Sequence, residues 1–260
     1  FRRVLFRSAM RILVENGRLL DPSRELDVQE SLWIEDGIIC EKQAFSANQA
    51  DRVIDAAGGW VVPGLIDLHV HFRDPGLEYK ETIETGCLAA AHGGYTTVCP
   101  MPNTKPSTDC PEVVKEVLDK ASVACGVHVL PVGAVTVGQK GEQPTDVAAL
   151  KEAGIVAISE DGKSVMNSEV YREAMLQAAA CDIPVFAHCE DINLVHGGCM
   201  NAGKRAKELG LPGISNAVED IITARDILLA NETGAQLHLC HCSTKESVNL
   251  VKWGKKMGVK

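Results

Sequence analysis

The chain has 260 residues, of which 45% are hydrophobic and 23% charged, and its net charge is −9. That mixture can bury a core and excludes global disorder. The acidic balance, without a basic stripe, excludes a general nucleic-acid binder, and no apolar run reaches the length of a membrane span.

Residues 1–9 are basic, fit no pattern and precede Met10, so they read as a non-native scar. Residues 10–60 read as a small β domain. Strand–turn–strand units are expected around Asn16-Gly17 and Asp36-Gly37, with a further strand at Arg52-Val-Ile-Asp-Ala. From residue 61 to 260 apolar strands alternate with amphipathic helices. Strands are expected over 61–71, 95–100, 126–133, 154–159, 183–188 and 235–241. Helices are expected near 78–91, 111–124, 145–153, 167–181 and 216–232, and a last one opens on a capping box at Ser243-Thr-Lys-Glu246. Repeated β-then-α order predicts a parallel sheet, with about six β/α units against the eight of a closed (β/α)8 barrel.

Ten cysteines are scattered through these elements without paired CxxC knuckles, which predicts free, mostly buried thiols and no disulfide framework. Cys240-His241-Cys242 looks like a metal triplet, but strand alternation points the two cysteines away from the histidine.

The chemistry starts at the strand over 61–71. Alternation puts Leu65, Asp67, His69 and His71 on one face and Ile66, Leu68 and Val70 on the other. Two histidines at i and i+2, at the C-terminal end of a barrel strand, can share an ion where barrel active sites lie. Later strand ends supply companions: Glu160-Asp161-Gly162, His188 and His241. Imidazole and carboxylate donors together suit zinc. His92, His128, His196 and His238 lack this placement and read as structural or surface residues.

Pro63-Gly-Leu-Ile-Asp-Leu-His-Val-His-Phe-Arg-Asp-Pro-Gly76 strongly resembles the signature of dihydroorotases in the amidohydrolase superfamily. Further matches follow in order: Glu81-Thr-Ile-Glu-Thr-Gly86, Gly93-Gly-Tyr-Thr-Thr97, Met101-Pro-Asn-Thr104, Glu160-Asp-Gly162, Ala187-His-Cys-Glu-Asp191 and Cys240-His-Cys-Ser-Thr-Lys-Glu-Ser247. The resemblance implies a TIM-barrel amidohydrolase, incomplete here, plus a small N-terminal β unit. It implies two zinc ions per subunit, with His69 and His71 on one, His188 and His241 on the other, and Asp161 bridging. Glu160 is the competing carboxylate. No lysine ends the strand over 154–159, as the carboxylated lysine of hydantoinases would require; Lys163 follows the glycine. Arg73 and Asn103 are the implied substrate residues, and Asp67 the implied support behind the ligands.

The implied reaction is the reversible cyclisation of N-carbamoyl-L-aspartate to dihydroorotate in pyrimidine synthesis, in the cytoplasm. The family's general acid–base aspartate, in an Asp-His-Ala-Pro-His motif at the eighth strand, does not occur in these residues. The 260-residue polypeptide is therefore expected to be inactive by itself, with no catalytic acid–base group in this span. Expected partners are the small-molecule substrate and either a second copy or aspartate carbamoyltransferase, with no nucleic acid and no membrane. Two alternatives stand beside this reading. One is a hydantoinase, dihydropyrimidinase or allantoinase; the other is a non-catalytic dihydroorotase-like scaffold for aspartate carbamoyltransferase.

Overall fold

The computed structural model describes residues 10–124 and 126–260. The scar reading of residues 1–9 and the cysteine at position 125 lie outside the described residues. The other nine cysteines take part in no disulfide. Among the described residues no helix is long and apolar enough to cross a membrane.

The chain divides into two compact units, one running to Gly64 and one spanning Leu65–Lys260. The first contains β1 (Arg11–Glu15), β2 (Arg18–Asp21), β3 (Leu26–Gln29), β4 (Leu32–Glu35), β5 (Ile38–Ile39), β6 (Arg52–Asp55) and β7 (Trp60–Val61). They form two small sheets, β5-β4-β1-β6 and β3-β2-β7. Asp36 and Gly37 both take positive φ, 50° and 81°, and close the expected β4–β5 hairpin. The unit expected around Asn16-Gly17 is different: β1 and β2 lie in separate sheets and do not pair. Asn16, at φ 58°, redirects the chain from one sheet to the other.

The second unit runs β8 (Leu65–Val70), α1 (Ile83–His92), β9 (Tyr95–Pro100), α2 (Pro111–Ser122), β10 (His128–Val129), β11 (Val132–Ala134), α3 (Val147–Ala153), β12 (Ala157–Ser159), α4 (Ser168–Ala180) and β13 (Val185–Ala187). An excursion follows, with β14 (Met200–Asn201), α5 (Lys204–Leu209) and β15 (Gly213–Ile214). Then come α6 (Ala217–Thr233), β16 (Leu237–Leu239) and α7 (Lys245–Met257). All pairings among the main strands are parallel and in chain order, β8-β9-β10 and β11-β12-β13-β16. Six strand positions, each followed by a helix, make a partial (β/α)8 barrel.

Several expected strands are shorter than predicted, and proline or glycine explains most of the loss. Pro63-Gly64 separates β7 from β8. Pro131, without an N–H, divides the strand expected over 126–133 into β10 on β9 and β11 on β12. Gly154, at φ 119°, caps α3 by donating to the Leu150 and Lys151 carbonyls, so β12 starts only at Ala157. The last helix is capped by Thr244, whose side chain accepts from Ser247 N, and not by Ser243. The Glu219 carboxylate has already taken the Ser243 and Thr244 amides. Residues 189–216 carry elements too short for periodicity to announce.

The core has an outer and an inner layer. Ile158, Val185, Ala174 and Met175, all fully buried, pack between strands and helices. Cys99, Met101, Ala157, Phe186 and Cys240 fill the space enclosed by the strands. A third cluster places Phe72 against α1. It requires a glycine at position 86, where an added Cβ would lie 2.4 Å from the Phe72 ring. Phe72 directly follows His71, so this contact also fixes the loop that leaves β8. Gly86→Ala should destabilise the protein by about 1–3 kcal/mol through overpacking. A denaturant melt measures this, and an unchanged midpoint would mean that Phe72 moves aside without cost.

Candidate metal centre

Asp161 follows β12 and is 4% exposed. Four imidazoles from three strand ends surround its carboxylate. His69 Nε2 is 3.2 Å from Oδ1, and His71 Nε2 is 3.4 Å from Oδ2. His188 Nδ1 and His241 Nε2 are each 3.4 Å from Oδ1 and 3.2 Å from one another. The donor atoms fall into two groups able to hold an ion, His69–His71–Asp161 and Asp161–His188–His241. A tetrahedral ion about 2.1 Å from each ligand puts neighbouring donor atoms roughly 3.4 Å apart. In the Asp161–His188–His241 group the spacings of 3.4, 3.4 and 3.2 Å match that figure, and both donor sets fit a borderline divalent cation.

Alternation alone does not build this arrangement. The β8–β9 register shifts between Leu65 and Ile66 and again between Asp67 and Val70, so strict face parity is lost along β8. Asp67 instead turns back and accepts from the His69 amide at 3.0 Å. In β16 the parity prediction fails in an informative way. Cys240 joins the inner cluster, and His238 lies 4.9 Å from the Phe186 ring. His241 follows them and would point outward, but its backbone sits at φ 35°, in the left-handed region, and turns the ring back to Asp161. Burial pushes the Cys240 thiol up to about 12, and the thiol belongs to neither group of donor atoms. His92, His128 and His196 are exposed and belong to neither group.

The two carboxylates at the end of β12 separate cleanly. Glu160 is buried and faces away from the imidazoles; its carboxylate accepts from the Thr136 amide at 3.0 Å and from the Thr136 hydroxyl. Burial raises its pKa in spite of those bonds. Burial pushes Asp161 the same way, but the bonds from His188, His241 and His69 outweigh it and hold the carboxyl far below its ordinary value. For His188 burial favours the neutral ring, while Asp161 and Glu190 more than reverse that. His71 ends lower than usual through burial, with the charges of Arg73 and His69 adding to the effect.

Further contacts hold the ligand groups from behind. The Asn103 amide donates to Asp161 Oδ2 at 3.2 Å, and its Oδ1 lies 3.0 Å from His71 Nδ1. Asn103, expected as a substrate residue, is thus engaged with the centre itself, with an Oδ1 lone pair to spare. Arg73, at φ 63°, leaves the same loop as His71. Its acidic neighbour Asp74 is already bound to Lys120 and to the Ile83 amide. Among the described residues the Arg73 side chain has no carboxylate partner. Three features were missed in the sequence. The Ser164 hydroxyl bridges the His188 carbonyl and the Glu190 amide. The buried Asp226 carboxylate, paired with Arg225 at 2.8 Å, accepts from the Cys189 thiol behind His188. Glu190 faces His188 Nε2. Only Glu190 had a signal, its i+2 spacing from His188.

Asp161→Asn should lose most of the bound metal while Glu160→Gln keeps it, as measured by metal analysis of the purified proteins. Equal loss from both would mean that the two carboxylates share the role. Metal affinity should also fall as the solution is acidified enough to protonate the imidazoles, because protonated rings cannot ligate. A pH-independent affinity would argue against imidazole ligation.

Residues 58–247 match the family model described as dihydro-orotase-like. A dihydroorotase of Trichlorobacter lovleyi is 45% identical over 252 residues, covering 96% of this chain and 59% of the relative. One from Geobacillus kaustophilus is 47% identical over 254 residues, with the same coverage. Among solved structures, the L-hydantoinase (dihydropyrimidinase) of Arthrobacter aurescens superposes with a TM-score of 0.77 at 25% identity, covering 95% of this chain and 56% of that one. The chain therefore spans somewhat over half the length of the proteins it matches, and within that span it belongs to the dihydro-orotase-like family.

Proposed function

We propose that the whole protein is a cytoplasmic dihydroorotase that interconverts N-carbamoyl-L-aspartate and (S)-dihydroorotate using two zinc ions. Membership of the dihydro-orotase-like family supports the reaction class. The observation that carries the reading is the convergence of four imidazoles on Asp161, in two groups of three donors, beside Arg73, which has no carboxylate partner among the described residues.

Bound zinc at this position would supply Lewis acidity and a water-derived nucleophile at neutral pH. The chain's own residues do the rest. Arg73 offers a planar guanidinium to the substrate carboxylate, and its charge is free for that task because Lys120 neutralises Asp74. The Asn103 Oδ1 can accept a substrate N–H while its amide group steadies Asp161. Asp161 rather than a lysine at the centre favours dihydroorotate over hydantoin as the substrate.

The test is turnover of dihydroorotate, hydantoin and allantoin by the intact protein. Dihydroorotate should be preferred, and a preference for hydantoin would overturn the proposal. Zinc-free intact protein would favour the scaffold reading instead. Arg73→Ala should lower kcat/KM by about 10²-fold through the loss of two charge-assisted hydrogen bonds, with zinc content unchanged. An unaltered kcat/KM would remove Arg73 from the substrate site.

A further inference from the structure

His188 turns its two ring nitrogens to different partners. Nδ1 faces the centre, 3.4 Å from Asp161 Oδ1 and 3.2 Å from His241 Nε2. Nε2 faces away from it, 3.2 Å from Glu190 Oε2. A neutral imidazole carries one N–H and one lone pair. If the hydrogen sat on Nδ1, the Nε2 lone pair would point at the Glu190 carboxylate with nothing between them. With the hydrogen on Nε2, that bond is made and the Nδ1 lone pair is delivered to the Asp161–His241 group, where an ion could use it.

The backbone makes this pairing rigid. The Ser164 hydroxyl donates to the His188 carbonyl and accepts from the Glu190 amide at 3.0 Å. One side chain thus clamps both residues of the pair. The Glu190 carboxylate is one-third exposed and has no other hydrogen-bond or ion-pair partner among the described residues.

We infer that Glu190 is a positioning residue, fixing the tautomer and orientation of His188 so that Nδ1 is the metal-binding atom of the His188–His241 group. The inference rests on the metal-centre reading above. Outer carboxylates of this kind typically contribute 10–100-fold in metal affinity. The His69–His71 group does not depend on Glu190, so the effect should fall on one ion only.

The test is a competitive zinc titration of the intact protein and its Glu190→Ala and Glu190→Gln variants, with melting of the metal-free forms as a control. Glu190→Ala should weaken one zinc by about 10–100-fold and leave the other unchanged, with the metal-free melting temperature preserved. Glu190→Gln should restore most of the affinity, because an amide oxygen still accepts from Nε2–H. Wild-type affinity at both sites in Glu190→Ala, or equal weakening of both, would overturn the inference. A wild-type protein that takes up no zinc would instead overturn the metal-centre reading from which it starts.

Discussion

The site depends on keeping one anionic carboxylate almost out of water. Asp161 is 4% exposed, and burial by itself would drive its carboxyl toward the neutral form. Bonds from His188, His241 and His69 reverse that preference. A buried charge is tolerated only when it is paired and hydrogen-bonded, and here the pairing groups are themselves ligand-type atoms. The demand for charge compensation and the capacity to hold a cation are therefore one feature of the structure.

The barrel supplies the convergence, and local backbone departures supply the aim. Parallel strands in chain order bring the ends of β8, β12, β13 and β16 to one mouth. Regular strand geometry would still misdirect some of the imidazoles. Register shifts in β8 and the left-handed φ at His241 correct the direction. Arg73 takes a left-handed φ on the same rim. Non-glycine residues in that region are strained and persist only where the surroundings over-determine them. Here the surroundings are Phe72 packed on Gly86, and Glu219 holding the Ser243 and Thr244 amides just after His241.

Behind the imidazoles, polar contacts remove the remaining freedom. Asn103 orients His71, Asp67 accepts from the His69 amide, and Ser164 clamps the segment that carries His188. The Arg225–Asp226 pair on α6 anchors Cys189, the residue between His188 and Glu190. Burial raises Asp226 to about 6 even beside Arg225, so this pair is costly to bury and is kept where it steadies the β13 end.

The sequence by itself determined the β-then-α order, the two-unit pattern and the residues that meet at Asp161, because periodicity and motif spacing are local properties of the chain. It favoured Asp161 over Glu160 by resemblance alone, since neighbours in sequence cannot reveal which partners burial will give them. It placed a hairpin at Asn16-Gly17, where the chain in fact changes sheets. It took the parity of Cys240 and His241 from an ideal strand, although β16 ends at Leu239. Only the tertiary structure decided these points. Thr136 lies 24 residues before Glu160, and His241 lies 80 after Asp161. Which carboxylate faces which partner is settled when the strands assemble around it, and no local rule carries that information.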